Sequence, residues 1–179
     1  MGGKEQKRRT RRPMTPATKA MFIFAVLMVL RLTVFRPELA SDGKPRKHVL
    51  VQRVIDGDTF DLDDGTRVRM LGIDAPEAGF GDKTPQPFSA EATEWLKSRI
   101  ESHEVALRID YPKTDRYGRT LAWVFEPDGI LINEVMLREG RVKLLADFGL
   151  PTDLEPALRK AEAEARIRKI GVWARKSKK

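Results

Sequence analysis

The sequence predicts a mainly β domain with added helices, built around a small closed antiparallel barrel of five short strands. Several short segments between residues 48 and 126 alternate apolar and polar residues or are rich in β-branched residues, which is typical of half-buried strands. Turn residues separate these segments, and Asp64-Gly65 is typical of a hairpin. Helical spacing of apolar residues marks three further stretches. The OB barrel, whose strand face often binds nucleic acid, is the candidate topology.

The first part of the domain contains the predicted hairpin. Residues 48–55, HVLVQRVI, are rich in β-branched residues and predict the first strand. Residues 59–63 and 66–73 flank Asp64-Gly65, so we expect them to pair antiparallel with one face of each toward a core. Residues 78–88 contain several Gly and Pro and are expected to form a loop.

The second part of the domain is expected to alternate helices and strands. Residues 89–102 place Ala92, Trp95, Leu96 and Ile100 at helical spacing, with Ser89 as the expected N-cap. We then expect strands at 104–111, 119–126 and 142–146. A short helix is expected at 130–140, ending at Gly140. A terminal helix is expected at 153–173, with Leu158, Ala161, Ala165 and Ile170 toward the core. Trp95, Trp123 and Trp173 are expected in the core, and residues 161–169 on a solvated helix face.

Composition excludes some kinds of site. There are no cysteines and two histidines without ligand-like spacing, so a disulfide frame, a thiolate metal site and a zinc site are not expected. The net charge is +8, but residues 1–47 hold 12 basic and 3 acidic residues, whereas residues 48–179 hold 22 basic and 23 acidic residues. The basicity therefore belongs to the N-terminal segment and is weak evidence that the domain itself binds nucleic acid.

The N-terminal segment has the pattern of a signal or an anchor, because the basic residues 1–19 precede the apolar residues 20–35. The uninterrupted apolar run covers residues 20–30, which are 11 residues; extended past Arg31 to residue 35 it has 16 residues and would span about 24 Å as a helix, less than a hydrocarbon core of about 30 Å. We expect an uncleaved membrane anchor that places the domain outside the cytoplasm, in the periplasm or at the cell exterior. Secretion after signal cleavage is the alternative, and a cytosolic location comes last. A linker at 36–47, the domain at 48–175 and a basic tail at 176–179 complete the predicted organisation.

Charged residues of the hairpin could form a site for a metal and a phosphate. Asp58 begins the first hairpin strand and Asp74 follows the end of its partner, so the two carboxylates can converge on a hard cation. Glu77 is close enough in sequence to act on a metal-organised water. Arg69 and Arg119 supply guanidinium groups that match phosphate oxygens. From spacing alone, a solvated hairpin end with ordinary surface arginines remains the alternative. Asp56 and Asp64, each followed by Gly, are expected to serve turns.

Five motifs in order carry a resemblance over residues 49–173. They are VIDGDTFDL, VRMLGIDAPE, TDRYGRTLAWV, LINEVMLREGRV and AEAEARIRKIGVW. Together they resemble the staphylococcal nuclease (thermonuclease) family. The resemblance implies an OB barrel with about three added helices, and Ca²⁺-dependent hydrolysis of DNA and RNA that leaves 3′-phosphate ends.

The resemblance also implies residue roles. The metal ligands of the family are matched by Asp58, Asp74 and the backbone carbonyl of Ala75. The arginines that stabilise the transition state are matched by Arg69 and Arg119, and the general base is matched by Glu77. Positions near a terminal phosphate of a bound nucleotide are matched by Arg116 and Tyr117. Two departures are visible. Ala75 stands where the type member has Thr, and the run RVKLLADFG lacks the paired tyrosines that line the nucleotide pocket of the type member.

Three functional hypotheses follow. The first is a membrane-associated or secreted Ca²⁺-dependent nuclease, expected to be a monomer with metal-activated water attacking phosphorus. The second is a non-catalytic OB-fold module that binds nucleic acid or protein without cutting, since a fold does not fix a function. The third is binding of nucleic acid or anionic lipid by the basic N-terminus itself.

Overall fold

Five strands close into a barrel in the order β1, β2, β3, β6, β5. The computed structural model describes residues 46–79, 84–147 and 149–174, which fall within one compact unit of residues 39–179. The strands are β1 (Lys47–Val54), β2 (Thr59–Leu62), β3 (Arg67–Met70), β4 (Ile73–Asp74), β5 (Glu104–Thr114), β6 (Thr120–Phe125) and β7 (Lys143–Leu144). The helices are α1 (Ser89–Ile100), α2 (Ile132–Arg138) and α3 (Glu155–Arg168), followed by a 3₁₀ turn (Gly171–Trp173). The predicted five-stranded barrel with helices is confirmed.

The sequence predicted an antiparallel barrel, but one pair of neighbouring strands is parallel. The hairpin pairs β2 and β3 antiparallel, with Phe60 opposite Val68, as predicted. The pair β3–β6 is parallel, with Val68 beside Thr120. A closed ring of five strands cannot alternate direction throughout, so one neighbouring pair must run the same way. The α1 and β5 segments lie between β3 and β6 in the chain and provide the long connection that a parallel pair needs.

Gly72 interrupts the second hairpin strand, which was expected to run over residues 66–73. Its φ is +67°, and a Cβ there would lie 2.4 Å from Cη2 of Trp123, so only glycine fits beside this buried indole. The chain therefore leaves the barrel after Met70 and forms the short β4, which pairs with β7 so that Asp74 lies opposite Lys143. This turn is what carries Asp74 away from the barrel wall.

Helix α1 begins differently from the prediction. The N-cap is Phe88, in the left-handed region at φ 70°, and Ser89 is the first helical residue, so the expected Ser89 cap is wrong. Ser89 is buried, and no side chain caps the helix. The predicted apolar face is confirmed, because Ala92, Leu96 and Ile100 are all buried.

The last two helices follow the predicted pattern with one shortening. Gly140 adopts φ +65° just after α2, as expected for a residue that ends a helix. Helix α3 ends at Arg168 rather than near 173, because Lys169 adopts φ 54°. The expected core residues Leu158, Ala161 and Ala165 are buried, but Ile170 lies outside the helix and is only half-buried.

The three tryptophans have different environments. Trp123 is buried in the core, and Trp95 is partly buried and packs against the core. Trp173 is outside the core and half-buried, with the guanidinium of Arg166 4.1 Å from its ring centroid. The expected solvated face of α3 is also interrupted, since Glu162 is buried and its Oε1 accepts a 2.9 Å hydrogen bond from the Leu144 amide.

Two buried polar side chains, Arg108 and Asn133, join separate parts of the fold. Arg108 is 1% exposed, and its guanidinium pairs with the carboxylates of Asp110 at 3.2 Å and Asp153 at 2.6 Å. Asn133 is fully buried, donates from Nδ2 to the Leu71 carbonyl at 2.8 Å and accepts at Oδ1 from the Val124 amide at 3.0 Å. The side-chain amide of Asn133 therefore connects α2 to the residue just after β3 and to β6, the two strands that pair in parallel.

The predicted membrane anchor at residues 20–35 lies outside the described residues. Within the described ranges, no helix has the length and apolar character needed to cross a membrane. The domain boundaries, 48–175 with its flanking segments, stay a prediction.

Asp61 on the outer face of the hairpin is expected to make stability depend on pH. Its carboxylate accepts hydrogen bonds from Arg67 at 2.7 Å and Arg53 at 3.0 Å, and the Arg67 hydrogen bond does most to hold the pKa of Asp61 below its ordinary value of 3.8. The stabilisation is therefore complete above that value and is lost as the pH falls through the lower folded-state pKa. Because both arginines are largely exposed, we expect Asp61→Asn to lower the free energy of unfolding by only about 1 kcal/mol at neutral pH.

Urea unfolding at neutral and strongly acidic pH measures this contribution. Asp63→Asn is the matched control, since Asp63 is an exposed acid on the same hairpin and makes no ion pair within the described residues. The difference between wild type and Asp61→Asn should shrink in acid. A difference that is absent at neutral pH, or that grows in acid, would contradict this role for Asp61.

Candidate active site

A cleft of about 190 Å³ opens where the turn after β1, the segment after β4 and the start of β6 meet. Its lining is polar and contains both acids and arginines. The lining residues are Asp56, Asp58, Arg69, Ala75, Pro76, Glu77, Ala78 and Arg119. The fold thus brings most of the candidate residues predicted from the sequence into one cavity.

The turn Asp56-Gly57-Asp58 forms one wall of the cleft. Oδ1 of Asp56 accepts a 3.0 Å hydrogen bond from the Asp58 amide, which is the predicted turn role of this acid. Asp56 also lines the cleft, a second role that the sequence analysis missed. Gly57 allows the turn to approach the opposite wall, because a Cβ on Gly57 would lie 2.7 Å from the Cβ of Ala75.

Asp58 is buried against that opposite wall and is only 6% exposed. Its Oδ2 accepts a 2.8 Å hydrogen bond from the Ala75 amide, and its Oδ1 accepts one of 3.1 Å from the Thr59 hydroxyl. Burial raises the pKa of Asp58 to about 7; the Arg69 guanidinium opposes this and the Asp56 carboxylate adds to it. The solvated hairpin end that spacing alone favoured is therefore wrong for Asp58.

Arg69 lies between the two predicted metal-ligand carboxylates. Its Nη2 is 3.0 Å from Oδ2 of Asp58 and 3.5 Å from Oδ1 of Asp74. Its Nη1 donates to the carbonyls of Met70 at 2.9 Å and Ile73 at 3.1 Å. The side chain thus points inward, with 14% of its surface exposed, and is not an ordinary surface arginine.

The same contacts bear on whether the two carboxylates could hold a hard cation. One positively charged nitrogen of Arg69 contacts both carboxylates, so Asp58 and Asp74 face a common point that already holds a cationic group. Among the described residues, no cluster of three or more His, Cys, Asp or Glu side chains could hold a metal. A cation here would therefore need the Ala75 carbonyl and water in addition to the two aspartates.

Arg119 and Glu77 also line the cleft. Nε of Arg119 is 2.7 Å from Oδ2 of Asp115, whose Oδ1 accepts hydrogen bonds from the amides of Arg119 and Tyr117. Burial alone would raise the pKa of Asp115, but these hydrogen bonds outweigh it and hold the pKa below its ordinary range. Glu77 is exposed to solvent in the cleft, and its backbone carbonyl accepts a 2.9 Å hydrogen bond from the Gln86 amide.

The sequence analysis did not predict a role for Asp115. Its position in a turn, four residues before Arg119, could have indicated that its carboxylate pairs with this arginine. Arg116 and Tyr117, predicted to lie near a terminal phosphate, are on the exposed turn between β5 and β6 and do not line the cleft. The Tyr117 ring lies 4.9 Å from the Arg116 guanidinium and 5.5 Å from that of Arg119. These two residues therefore flank Arg119 outside the cavity.

Several known proteins are similar in sequence to this chain. The family model described as staphylococcal nuclease homologue matches residues 67–175. A thermonuclease of Staphylococcus intermedius is 32% identical over 174 residues, covering 90% of this chain and the whole of that protein. A protein of Escherichia coli O157:H7 described as an uncharacterised endonuclease is 34% identical over 130 residues, covering 71% of this chain and 77% of its own length.

A third relative is longer than this chain. It is an uncharacterised protein of Bacillus anthracis that is 39% identical to this chain over 128 residues. The match covers 69% of this chain and 59% of the relative. The family model covers more than half of this chain, and the Staphylococcus intermedius thermonuclease is matched along its entire length. The chain therefore belongs to the staphylococcal nuclease homologue family.

Proposed function

We propose that this protein is a calcium-dependent endonuclease that hydrolyses phosphodiester bonds of DNA and RNA and leaves 3′-phosphate ends. The observation that carries this proposal is the single cleft that gathers buried Asp58, two arginines and an exposed glutamate. Membership of a nuclease family and relatives described as thermonuclease and endonuclease support it.

The acidic side of the cleft would hold the metal. Asp58, Asp74 and the Ala75 carbonyl are the residues that would bind Ca²⁺, and Ca²⁺ bound there would supply positive charge to the phosphate and make a nearby water more acidic. In the structure Arg69 contacts both carboxylates. We therefore infer that Arg69 exchanges these carboxylates for phosphate oxygens when the site is loaded.

The remaining side chains perform the proton and charge steps. Glu77 is the exposed carboxylate of the cleft and accepts the proton of the attacking water. Arg69 and Arg119 donate hydrogen bonds to the non-bridging phosphate oxygens as these gain negative charge. Asp115 orients the Arg119 guanidinium through the 2.7 Å contact. A new P–O bond forms to the water oxygen while the P–O5′ bond breaks and O5′ takes a proton from solvent, so the products carry a 3′-phosphate and a 5′-hydroxyl.

Product analysis tests this proposal. The full-length protein should cut single-stranded DNA and RNA with Ca²⁺ and should stop cutting when the ion is chelated. The new 3′ ends should resist polymerase extension until a phosphatase treats them. Extension without phosphatase would contradict the bond we assign as broken. Binding of DNA without any cutting would instead indicate the non-catalytic binding module.

The location and assembly of the protein are part of the proposal. The basic residues 1–19 followed by the apolar residues 20–35 support an anchor that holds the domain outside the cytoplasm. All candidate catalytic residues belong to one chain and one cleft, which supports a monomer. Membrane fractionation with protease treatment of intact cells checks the location. Recovery of a protease-resistant protein in the soluble cytoplasmic fraction would contradict it.

A further inference from the structure

A second cavity of about 310 Å³ lies directly beside the candidate active site. The two cavities share Ala75 and Pro76, whereas Asp74 lines the second cavity and not the first. Its other walls are Gln86, Pro87, Phe88, Lys143, Val172 and Ala174. A volume near the lower end of the range of about 300–1,000 Å³ for small-molecule pockets is suited to a single nucleotide.

Lys143 gives this cavity a positive edge. Its backbone pairs with Asp74 across β4 and β7, which places the lysine one strand away from a candidate metal ligand. Lys143 is exposed, and no carboxylate within the described residues forms a salt bridge with its ammonium. The centroid of the Trp173 ring lies 5.8 Å from Nζ of Lys143. The Asp74 carboxylate contacts Arg69 at 3.5 Å, so it is already engaged by a cation.

Phe88 gives the cavity an aromatic wall that is fixed in an unusual backbone conformation. Its φ of 70° lies in the left-handed region, which a bulky residue rarely adopts. Such positions persist where the surroundings over-determine them, often at ligand-binding sites. The neighbouring Gln86 amide donates to the Glu77 carbonyl at 2.9 Å, so this wall is joined to the segment that carries the proposed general base.

We propose that this cavity is a subsite for the nucleotide adjoining the scissile phosphate of a single-stranded substrate, with a phosphate at Lys143 and a base against Phe88. The inference rests on the proposed nuclease function and adds a second contact to the substrate. Stacking on an aromatic ring accepts every base, so the subsite favours unpaired strands without selecting a sequence. A paired base cannot leave the duplex without losing its stacking, which disfavours duplex substrates here.

Binding measured without turnover tests the phosphate contact. Two fluorescent oligothymidylates are titrated with the full-length protein in chelator, where no cutting is expected: one of about eight nucleotides, and one dinucleotide without a terminal phosphate, whose single phosphate is the one assigned to the active site and which therefore lacks the phosphate assigned to Lys143. Lys143→Gln should weaken binding of the longer strand by about three- to tenfold and reduce its salt slope by about 0.7, while leaving the dinucleotide unaffected. Lys160→Gln is the matched control, because Lys160 is an exposed lysine of α3 that lines neither cavity.

The aromatic contact has its own variant. Phe88→Gly removes the ring but keeps a residue that tolerates φ 70°, so the start of α1 is preserved. We expect it to weaken binding of the longer strand at least about fivefold, from the loss of one stacked base. With Ca²⁺ present, Lys143→Gln should raise KM for the longer strand and leave kcat unchanged.

The outcomes separate this subsite from the proposed function. Equal effects of Lys143→Gln and Lys160→Gln, or equal losses for the dinucleotide and the longer strand, would overturn the subsite even if the protein cuts DNA. A protein that binds strands as described but cuts neither DNA nor RNA would overturn the nuclease function and keep the subsite.

Discussion

Replacing Arg69 by alanine is expected to slow DNA hydrolysis by at least about 10²–10³-fold, because a donor to the transition-state phosphate is lost. The same change should strengthen Ca²⁺ binding in the absence of nucleic acid. The reason is geometric: Nη2 of Arg69 contacts Asp58 at 3.0 Å and Asp74 at 3.5 Å, where the cation would bind. Calorimetric titration of the full-length protein with Ca²⁺ measures the affinity, and initial cleavage rates measure the activity.

Arg119→Ala separates the two roles of Arg69. It should slow hydrolysis by a similar factor, since Arg119 lines the same cleft, but its guanidinium is held by Asp115 rather than by the metal-ligand carboxylates. Ca²⁺ affinity should therefore stay at the wild-type value. Weaker Ca²⁺ binding in Arg69→Ala would show that this arginine supports the cation site instead of competing for it.

Replacing Arg108 by alanine is expected to lower the free energy of unfolding by about 3–5 kcal/mol, because a large buried side chain is lost together with its two ion pairs. Arg108 is 1% exposed, and its loss leaves a cavity beside the Asp110 and Asp153 carboxylates. Asp110 also accepts a 3.0 Å hydrogen bond from the Trp123 indole, so we expect the loss of Arg108 to affect the packing of this core tryptophan as well. Urea unfolding followed by tryptophan fluorescence measures the change.

Arg108→Met is the control for lost volume. Methionine fills most of the space of the arginine stem and has no charge, so its cost should be clearly smaller than that of alanine. The two aspartates keep about a third of their side-chain surface exposed and can be hydrated once the guanidinium is removed. Wild-type stability in Arg108→Ala would contradict the structural role of this triad.

Local patterns predicted most of the fold. The Asp64-Gly65 hairpin, the buried face of α1 and the end of α2 at Gly140 depend on residues close in sequence, and all three were predicted. The early end of the second hairpin strand depends on the contact of Gly72 with Trp123, about fifty positions away, which no local pattern contains. Phe88 takes the N-cap position that was expected of Ser89 and does so in the left-handed region, which a local pattern does not predict for a bulky residue.

The candidate site was partly predictable as well. Spacing placed Asp58 and Asp74 near each other, but the burial of Asp58 depends on Gly57 packing against Ala75 across the cleft. The buried Arg108 and Asn133 were not predicted, because a polar residue in an apolar stretch does not by itself reveal its distant partners. Glu162 was likewise assigned to a solvated face until its hydrogen bond to β7 was known.

The most direct test of the nuclease assignment is the rate at which full-length wild type and Glu77→Gln cut a single-stranded oligonucleotide, with millimolar Ca²⁺ and with chelator. Glu91→Gln, a change at an exposed acid of α1 that lines neither cavity, is the control. Wild type and control should cut only with Ca²⁺, and Glu77→Gln should be at least about 10²-fold slower because the proton acceptor is gone. Equal rates for wild type and Glu77→Gln would contradict the assignment of the cleft as the hydrolytic site.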